Sequence, residues 1–245
     1  MAEILIGTSG WHYGHWMGRF YPHGLSRDRF LRHYSQSFNV VEINSTFYRL
    51  PRPESIDAWR EQTPERFIFA CKASRFITHM KKLRDPDRSI EPFFAAVTRL
   101  GKKLGPILFQ LPPSLHIDIT RLSKFLEALP RGHRYAIEFR HESWWMEKTY
   151  KLLLQHKAAC CICQLGAVPQ SFEATADFAY YRLHGPSNRY RGSYNEEALR
   201  SWARHILDRR DHGQDVFCFF DNDERAYAPK NAMKLKALVS REGPI

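Results

Sequence analysis

Short apolar runs alternate with amphipathic segments along the whole chain, and this alternation constrains the fold more than any other feature. The runs are rich in β-branched and aromatic residues, which favour strands. They lie at 3–8, 40–43, 67–71, 107–109, 135–139, 158–162, 178–183 and 216–220. Eight strands, each followed by a crossover, within 245 residues predict an α/β fold of the (β/α)₈ TIM-barrel type, formed as a single domain over 1–245. An open, doubly wound parallel sheet is the alternative.

The crossovers show the spacing of helices with one buried face. Helices are predicted over 26–37, 53–62, 89–104, 120–129, 143–156, 196–210 and 231–241. Ser143 and Asn195 are predicted N-caps, because their short polar side chains can accept from a free backbone N–H of the first turn. The sixth crossover contains Gly166 and Pro169, so a loop or a single helical turn is expected there and the barrel is expected to be irregular.

Composition indicates the compartment of the protein, the state of its cysteines and the charge of its partner. No basic segment followed by an apolar run opens the chain, and no apolar run is long enough to span a bilayer, so a cytoplasmic protein without membrane contact is expected. Five cysteines, four of them inside predicted strands, favour buried free thiols, and a metal role for Cys160–Cys163 is disfavoured because neighbours on a strand point to opposite faces. The net charge of +11 favours an anionic partner such as nucleic acid.

The predicted strands end in polar side chains, although a strand covered on both faces by helices should be apolar throughout. These residues are Glu42, Asn44, Lys72, Gln110, Glu138, Arg140, Gln164, Arg182, His184, Asp221 and Asn222. A closed barrel would gather them at its carboxyl-terminal mouth, which is where barrel enzymes place their chemistry. The alternative is that the charges only neutralise one another as buried ion pairs.

The loops after the strands add aromatic and basic residues. Trp11, Trp16, Tyr48, Trp144 and Tyr190 could stack on bases or sugars, or pack within the loops. The loop after the seventh strand combines two glycines with Arg189 and Arg191 before a helix, the usual phosphate position in such barrels. Acidic residues in the first turn of that helix argue against an anion directly at its N-terminus.

These features assign a role to each group. Glu42 and Glu138 are candidate acid/base or metal carboxylates, and His184 is a candidate proton carrier or ligand. Lys72 and Arg182 would hold an anion or a developing negative charge. The ligand-contact set is completed by the remaining polar and aromatic candidates, Trp11, His12, Asn44, Tyr48, Gln110, Arg140, Trp144, Arg189, Tyr190, Arg191, Asp221 and Asn222.

Six motifs in order along the chain resemble the YecE-like family of bacterial proteins. They are 6–11 (IGTSGW), 41–48 (VEINSTFY), 109–113 (FQLPP), 138–144 (EFRHESW), 182–185 (RLHG) and 222–228 (NDERAYA). The resemblance implies a TIM barrel close in architecture to sugar-isomerase and apurinic-endonuclease barrels, and a nucleic-acid-related role. It departs from the endonucleases in having few histidines at strand ends, so no zinc cluster is expected. One divalent ion on Glu42, Glu138, His184 or Asp221 is left open.

Three functional hypotheses follow. The first is a basic barrel mouth that binds a phosphate-bearing ligand, nucleic acid or nucleotide, with phosphodiester hydrolysis as the first reaction class to consider. The second is an enzyme of the isomerase or hydrolase type that acts on a sugar or sugar phosphate. The third is a non-catalytic binding module in which the charges are structural.

Overall fold

The protein is described here by a computed structural model that covers residues 2–165, 171–186 and 190–242. The strands are β1 Ile4–Thr8, β2 Val40–Ile43, β3 Ile68–Lys72, β4 Leu104–Gln110, β5 Tyr135–Glu138, β6 Ala159–Cys160, β7 Ile162–Gln164, β8 Phe178–Leu183 and β9 Asp215–Phe220. The α-helices are α1 Phe30–Tyr34, α2 Ser45–Tyr48, α3 Pro53–Glu61, α4 Pro86–Val97, α5 Ile119–Ala128, α6 Glu147–Gln155, α7 Glu196–Asp211 and α8 Tyr227–Glu242. A π-helix covers Phe76–Met80, and 3₁₀ turns cover Gly14–Trp16, Arg27–Arg29, Thr98–Lys103, Glu142–Trp144 and Glu224–Ala226.

The strands pair in parallel and form two sheets. One has the order β1-β9-β8-β7 and the other the order β2-β3-β4-β5-β6. Helices lie between successive strands from β1 to β6 and between β8 and β9, because parallel pairing requires a crossover. The predicted α/β class is therefore confirmed, and strands that follow one another in the chain are neighbours within each sheet. Among the described residues, the backbone ladders form these two sheets rather than one continuous eight-stranded ring.

By its contacts the chain divides into two compact units. The first unit comprises the described residues within 1–42, 162–170 and 177–245, and the second comprises 43–161 and 171–176. The prediction of one domain over 1–245 stays a prediction. None of the helices in the described ranges is long and apolar enough to cross a bilayer.

Two local predictions are wrong. The sixth predicted strand is interrupted at Cys161: β6 pairs with β5, whereas β7 pairs with β8. Ser143 does not cap a helix, because α6 begins at Glu147; its hydroxyl instead accepts from the N–H of Ile117 at 2.9 Å. The sixth crossover falls largely on 166–170, which lie outside the described residues.

Local sequence explains the best-defined helix starts. The Asn195 side chain accepts from the N–H of Ala198 at 2.8 Å, which confirms the predicted cap of α7. Pro86 opens α4 in the first turn, where its missing N–H costs no hydrogen bond. All five cysteines lie in the described part of the chain, where they are buried and form no disulfide, as predicted. Burial raises the pKa of the Cys160 thiol to about 12.

Each unit has its own aromatic core. In the first, Tyr21 stacks on Phe30 at 4.1 Å between ring centroids, and the fully buried Trp16 lies against Tyr21. In the second, Phe139 stacks on Trp144 at 4.8 Å. Ring pairs of this kind contribute beyond their buried area, so the loops that carry Trp16 and Trp144 are fixed by packing.

Candidate functional site

A buried polar cluster lies at the carboxyl ends of the strands of the first unit. It consists of Ser9 after β1, Glu42 in β2, Arg182 and His184 at the end of β8, and Asp221 after β9. We call it the Arg182 cluster. Glu42, Arg182 and His184 have no exposed surface. Four of these five were predicted from strand-end polarity, and the structure brings those four together.

Glu42 is held by three donors. It accepts from the Ser9 hydroxyl at 2.6 Å and from the Tyr180 hydroxyl at 2.7 Å. Arg182 donates to it as well, at 2.8 Å from one terminal nitrogen and at 3.0 Å from Nε. These hydrogen bonds fix the position of the buried Glu42 carboxylate, and its predicted role as an acid, base or metal ligand stays a prediction.

Arg182 also contacts His184, and the contact indicates the tautomer of the neutral ring. Its other terminal nitrogen lies 3.2 Å from His184 Nε2, and a guanidinium can only donate. Nε2 must therefore carry the lone pair, which places the ring proton on Nδ1, 3.0 Å from a carboxylate oxygen of Asp221. Each ring nitrogen of His184 thus lies within 3.2 Å of a charged side chain of the cluster, and its predicted role as a proton carrier or ligand stays a prediction.

The charge of the Arg182 cluster does not suit an anion. Arg182 also contacts Asp221 at 3.0 Å, so one guanidinium is shared by two carboxylates and the named ionic groups sum to one negative charge. Asp223 lies nearby, and burial together with the charge of Asp221 raises its pKa. His15, 3.4 Å from Asp223, opposes that increase. Burial and the charges of Asp221, Asp223 and Glu42 likewise raise the pKa of Tyr13.

Three backbone N–H groups of the loop after β8 donate within the fold. Gly185 donates to the Tyr194 hydroxyl at 3.0 Å, Tyr190 donates to the His184 carbonyl, and Tyr194 donates to Asn231. These groups are therefore not directed at a phosphate. Tyr190 and Arg191 are exposed, and Arg189 lies outside the described residues.

Asn222 joins that loop to the strand end. Its amide nitrogen donates to the Gly192 carbonyl at 2.7 Å and to the Asn231 side chain at 3.0 Å. Asn222 is fully buried. It therefore positions the loop, and the ligand contact predicted for it stays a prediction.

A second polar cluster lies at the strand ends of the second unit. Lys72 ends β3, Glu138 ends β5 and Arg140 follows it, and His79 sits in the π-helix after β3. Glu138 and Arg140 form a buried ion pair. The Lys72 ammonium lies over the ring of Phe47, 4.5 Å from its centroid. We call the four polar residues the Lys72 cluster, and its named side chains, unlike those of the Arg182 cluster, sum to one positive charge with His79 neutral.

His79 was not among the predicted site residues. Burial lowers its pKa, Lys72 and Arg140 lower it further, and Glu138 opposes them, so it lies within electrostatic reach of the whole cluster. Its ring meets Phe47 edge-on at 4.9 Å. Because His79 lies seven residues beyond the end of β3, strand-end polarity did not identify it. The π-helix, a rare element often found at functional sites, is the signal that marks it.

The segment that carries His79 is basic and partly apolar at its surface. Residues 72–84 contain five Lys or Arg and no Asp or Glu. Phe76 and Met80 in the π-helix are 40% and 67% exposed, and Tyr48 at the end of α2 is 72% exposed. Exposed aromatic rings interspersed with cations are typical of surfaces that bind nucleic acid.

The remaining candidate residues differ in how far their side chains are exposed. Trp11 and Trp144 are buried, and the Trp144 indole donates to the Leu115 carbonyl at 2.7 Å. The ligand contacts predicted for these two rings stay predictions. His12 is exposed and contacts Phe30. Asn44 and Gln110 are half-buried at the ends of β2 and β4.

A family model described as "Protein of unknown function DUF72" matches residues 5–244. The chain belongs to the DUF72 family. The resemblance to YecE-like proteins noted from the motifs is thereby confirmed. The family description gives no activity, so function must be argued from the two clusters.

Two curated relatives and one solved structure are similar to this chain over 58–98% of its length. The UPF0759 protein YunF of Bacillus subtilis is 26% identical and covers 98% of this chain and 95% of its own. The UPF0759 protein YecE of Escherichia coli K12 is 33% identical over 143 residues, which are 58% of this chain and 50% of YecE. A DUF72 family protein from Thermotoga maritima superposes with a TM-score of 0.89 at 28% identity, covering 97% of this chain and 99% of that protein.

Proposed function

We propose that the second unit of this DUF72 protein binds a phosphate-bearing ligand, nucleic acid or a nucleotide, through the Lys72 cluster and the basic segment 72–84. The observation that carries the proposal is the net positive charge of this segment, which contains no acidic residue, beside Tyr48, Phe76 and Met80, which are exposed. Phosphate contacts supply most of the sequence-independent affinity for nucleic acid, and aromatic faces accept any base.

The distribution of charge between the units supports the proposal. The second unit contains 21 of the 37 Lys and Arg residues and 13 of the 26 Asp and Glu residues, which gives it +8 of the net +11. The first unit holds the other 16 basic and 13 acidic residues and carries only +3. A localised positive field attracts a polyanion and raises its local concentration. The Arg182 cluster, with its surplus carboxylate, offers no such attraction.

Single-stranded nucleic acid fits this surface better than a duplex. Tyr48 lies next to Phe47 in α2, and Phe47 in turn contacts both Lys72 and His79. A base stacked on Tyr48 would thus lie near cations that can bind its phosphate. Stacking requires an unpaired base, and each stacked base contributes about 1–3 kcal/mol.

The test is binding of a fluorescently labelled oligothymidine of about 12 nucleotides, followed by anisotropy at low salt. Tyr48→Ala should weaken binding by about fivefold or more, because a base loses its stacking partner. Lys72→Gln should weaken it by a similar factor. Lys124→Gln, which removes an exposed charge on α5 of the same unit, should leave the affinity within about twofold of wild type.

Several results would contradict the proposal. Binding that is absent at low salt, or that Lys124→Gln reduces as much as Lys72→Gln, would remove this surface as the site. A thermal shift produced by sugar phosphates but not by oligonucleotides would favour the sugar-phosphate enzyme instead.

A further inference from the structure

His79 occupies a defined position within the Lys72 cluster. The His79 ring and the Lys72 ammonium both contact the ring of Phe47. The His79 ring centroid lies 4.9 Å from the Phe47 centroid, and the Lys72 ammonium lies 4.5 Å from it. Phe47 therefore acts as a common spacer between the imidazole and the ammonium. Glu138 and Arg140, from β5 and the residues after it, act on the same ring through their charges.

The hydrogen bond of Thr78 leaves the His79 ring able to take up one proton. The Thr78 hydroxyl lies 2.9 Å from His79 Nδ1, and its contact with the Ser74 carbonyl is longer, at 3.4 Å. A hydroxyl can donate to a lone pair on Nδ1 or accept from Nδ1–H. In either tautomer one nitrogen of the neutral ring keeps a lone pair, and a further proton can be added there.

The net charge of the Lys72 cluster depends on whether His79 is protonated. Lys72 and Arg140 contribute two positive charges and Glu138 one negative charge, which leaves +1 with His79 neutral and +2 with His79 protonated. A phosphodiester carries one negative charge, whereas a terminal phosphate carries about −1.5 to −2 at pH 7. The protonated cluster thus matches a dianion and the neutral cluster matches a monoanion.

We infer that the Lys72 cluster is a terminal-phosphate site that takes up a proton on the His79 ring when a dianion binds. This inference rests on the proposed function, which it narrows from any phosphate-bearing ligand to one with a free phosphate end. A nucleotide or a 5′-phosphorylated strand has such an end.

The direction of the pH dependence follows from linkage. Without ligand, burial, Lys72 and Arg140 keep the pKa of His79 low; a bound dianion raises that pKa by adding negative charge beside the ring. Between the ligand-free and ligand-bound pKa values the complex holds one more proton than the free protein. Affinity for a dianion therefore increases as the pH falls through this window, by up to about tenfold per pH unit. Affinity for a monoanion changes much less.

Inorganic sulfate is a suitable probe, because it is a dianion that does not itself titrate near neutral pH. Its affinity for the full-length protein would be measured by isothermal titration calorimetry between about pH 8 and pH 5.5, in buffers of different ionisation enthalpy that report proton uptake. Wild type should bind sulfate about tenfold more tightly per pH unit within the window, with uptake of up to one proton. His79→Gln should show a flat profile, and His116→Gln, a change at an exposed histidine of the same unit, should behave as wild type.

The outcomes separate this inference from the proposed function. If oligonucleotides bind but the sulfate profile is flat in wild type, or rises equally in His79→Gln, the inference is wrong and the proposed function stands. If a 5′-phosphorylated oligonucleotide binds no more tightly than its 5′-hydroxyl counterpart at pH 6, the inference is also wrong. If neither sulfate nor any oligonucleotide binds, both proposals fail.

Discussion

At the scale of single residues, Arg182 is the residue on which the polar core of the first unit depends. It contacts Glu42, Asp221 and His184, and both Arg182 and Glu42 are fully buried. Removing its charge would leave two acidic groups without their compensating cation. Breaking a buried ion pair in this way typically costs about 3–5 kcal/mol.

We therefore expect Arg182→Met to lower the free energy of unfolding by about 3–5 kcal/mol, measured by urea denaturation. Arg191→Gln, at an exposed arginine of the same unit, should change it by less than about 0.5 kcal/mol. A loss below about 1 kcal/mol for Arg182→Met would show that the two carboxylates do not need this cation.

Asp223 gives a prediction with a defined pH direction. Its pKa is raised in the folded protein, so the native state binds more protons than the unfolded state, and stability falls as the pH rises through this pKa. Asp223→Asn should remove that loss. The variant should melt at a higher temperature than wild type at pH 7, and the difference should shrink towards about pH 4.

The Asp223→Asn measurement needs a control variant in which an exposed aspartate is changed to asparagine. Asp177→Asn, at an exposed aspartate of the first unit, should give parallel melting curves at both pH values. A gain for Asp223→Asn that is equal at pH 4 and pH 7 would mean that its effect does not come from titration of the carboxylate.

Single residues also show how much of the candidate site could be predicted from the sequence. Strand-end polarity identified Glu42, Arg182, His184 and Asp221 because a buried strand has little other reason to carry charge. It could not assign their pairing, since Arg182 and Glu42 are 140 positions apart and their contact depends on register between strands. His79 was missed because its approach to Lys72 depends on the path of the chain after β3.

At the scale of elements, the start of α7 can be tested directly. The Asn195 side chain caps the helix by accepting from Ala198. Asn195→Ala should lower the free energy of unfolding by about 1 kcal/mol, whereas Asn195→Ser, which keeps a capping oxygen, should cost much less. Equal losses for the two variants in urea denaturation would show that the cap does not stabilise α7.

Helices and strands differed in how well their bounds were predicted, for physical reasons. The caps and prolines of α3 and α7 are local signals, and these helices begin where expected. The interruption between β6 and β7 is not local, because it reflects pairing with β5 on one side and β8 on the other. Ser143 was misassigned because a serine before a helical pattern resembles an N-cap whether or not its hydroxyl faces the helix.

At the scale of the whole molecule, the five cysteines report on the integrity of both units. All five are buried, and burial raises the pKa of Cys160 to about 12 and lifts that of Cys218 as well. Because only the thiolate reacts readily, the native protein should react slowly with a thiol reagent at pH 8. Five thiols should react promptly after unfolding in denaturant. Rapid labelling of a thiol in the native protein would contradict the described packing around it.

The unequal charge of the two units leads to the most direct test of the central claim, that the second unit binds nucleic acid through its basic segment. The measurement is the salt dependence of binding to a single-stranded oligonucleotide. Each phosphate contact contributes about 0.7 to the slope of log affinity against log salt.

Two double variants that remove the same charge would be compared. The first combines Lys81→Gln with Lys82→Gln in the basic segment, and the second combines Arg204→Gln with Lys234→Gln at exposed positions of the first unit. We predict that affinity falls steeply with salt, and that only the first pair reduces the slope, by about 1.4. A slope near zero in the wild type, or an equal reduction by both pairs, would contradict the account.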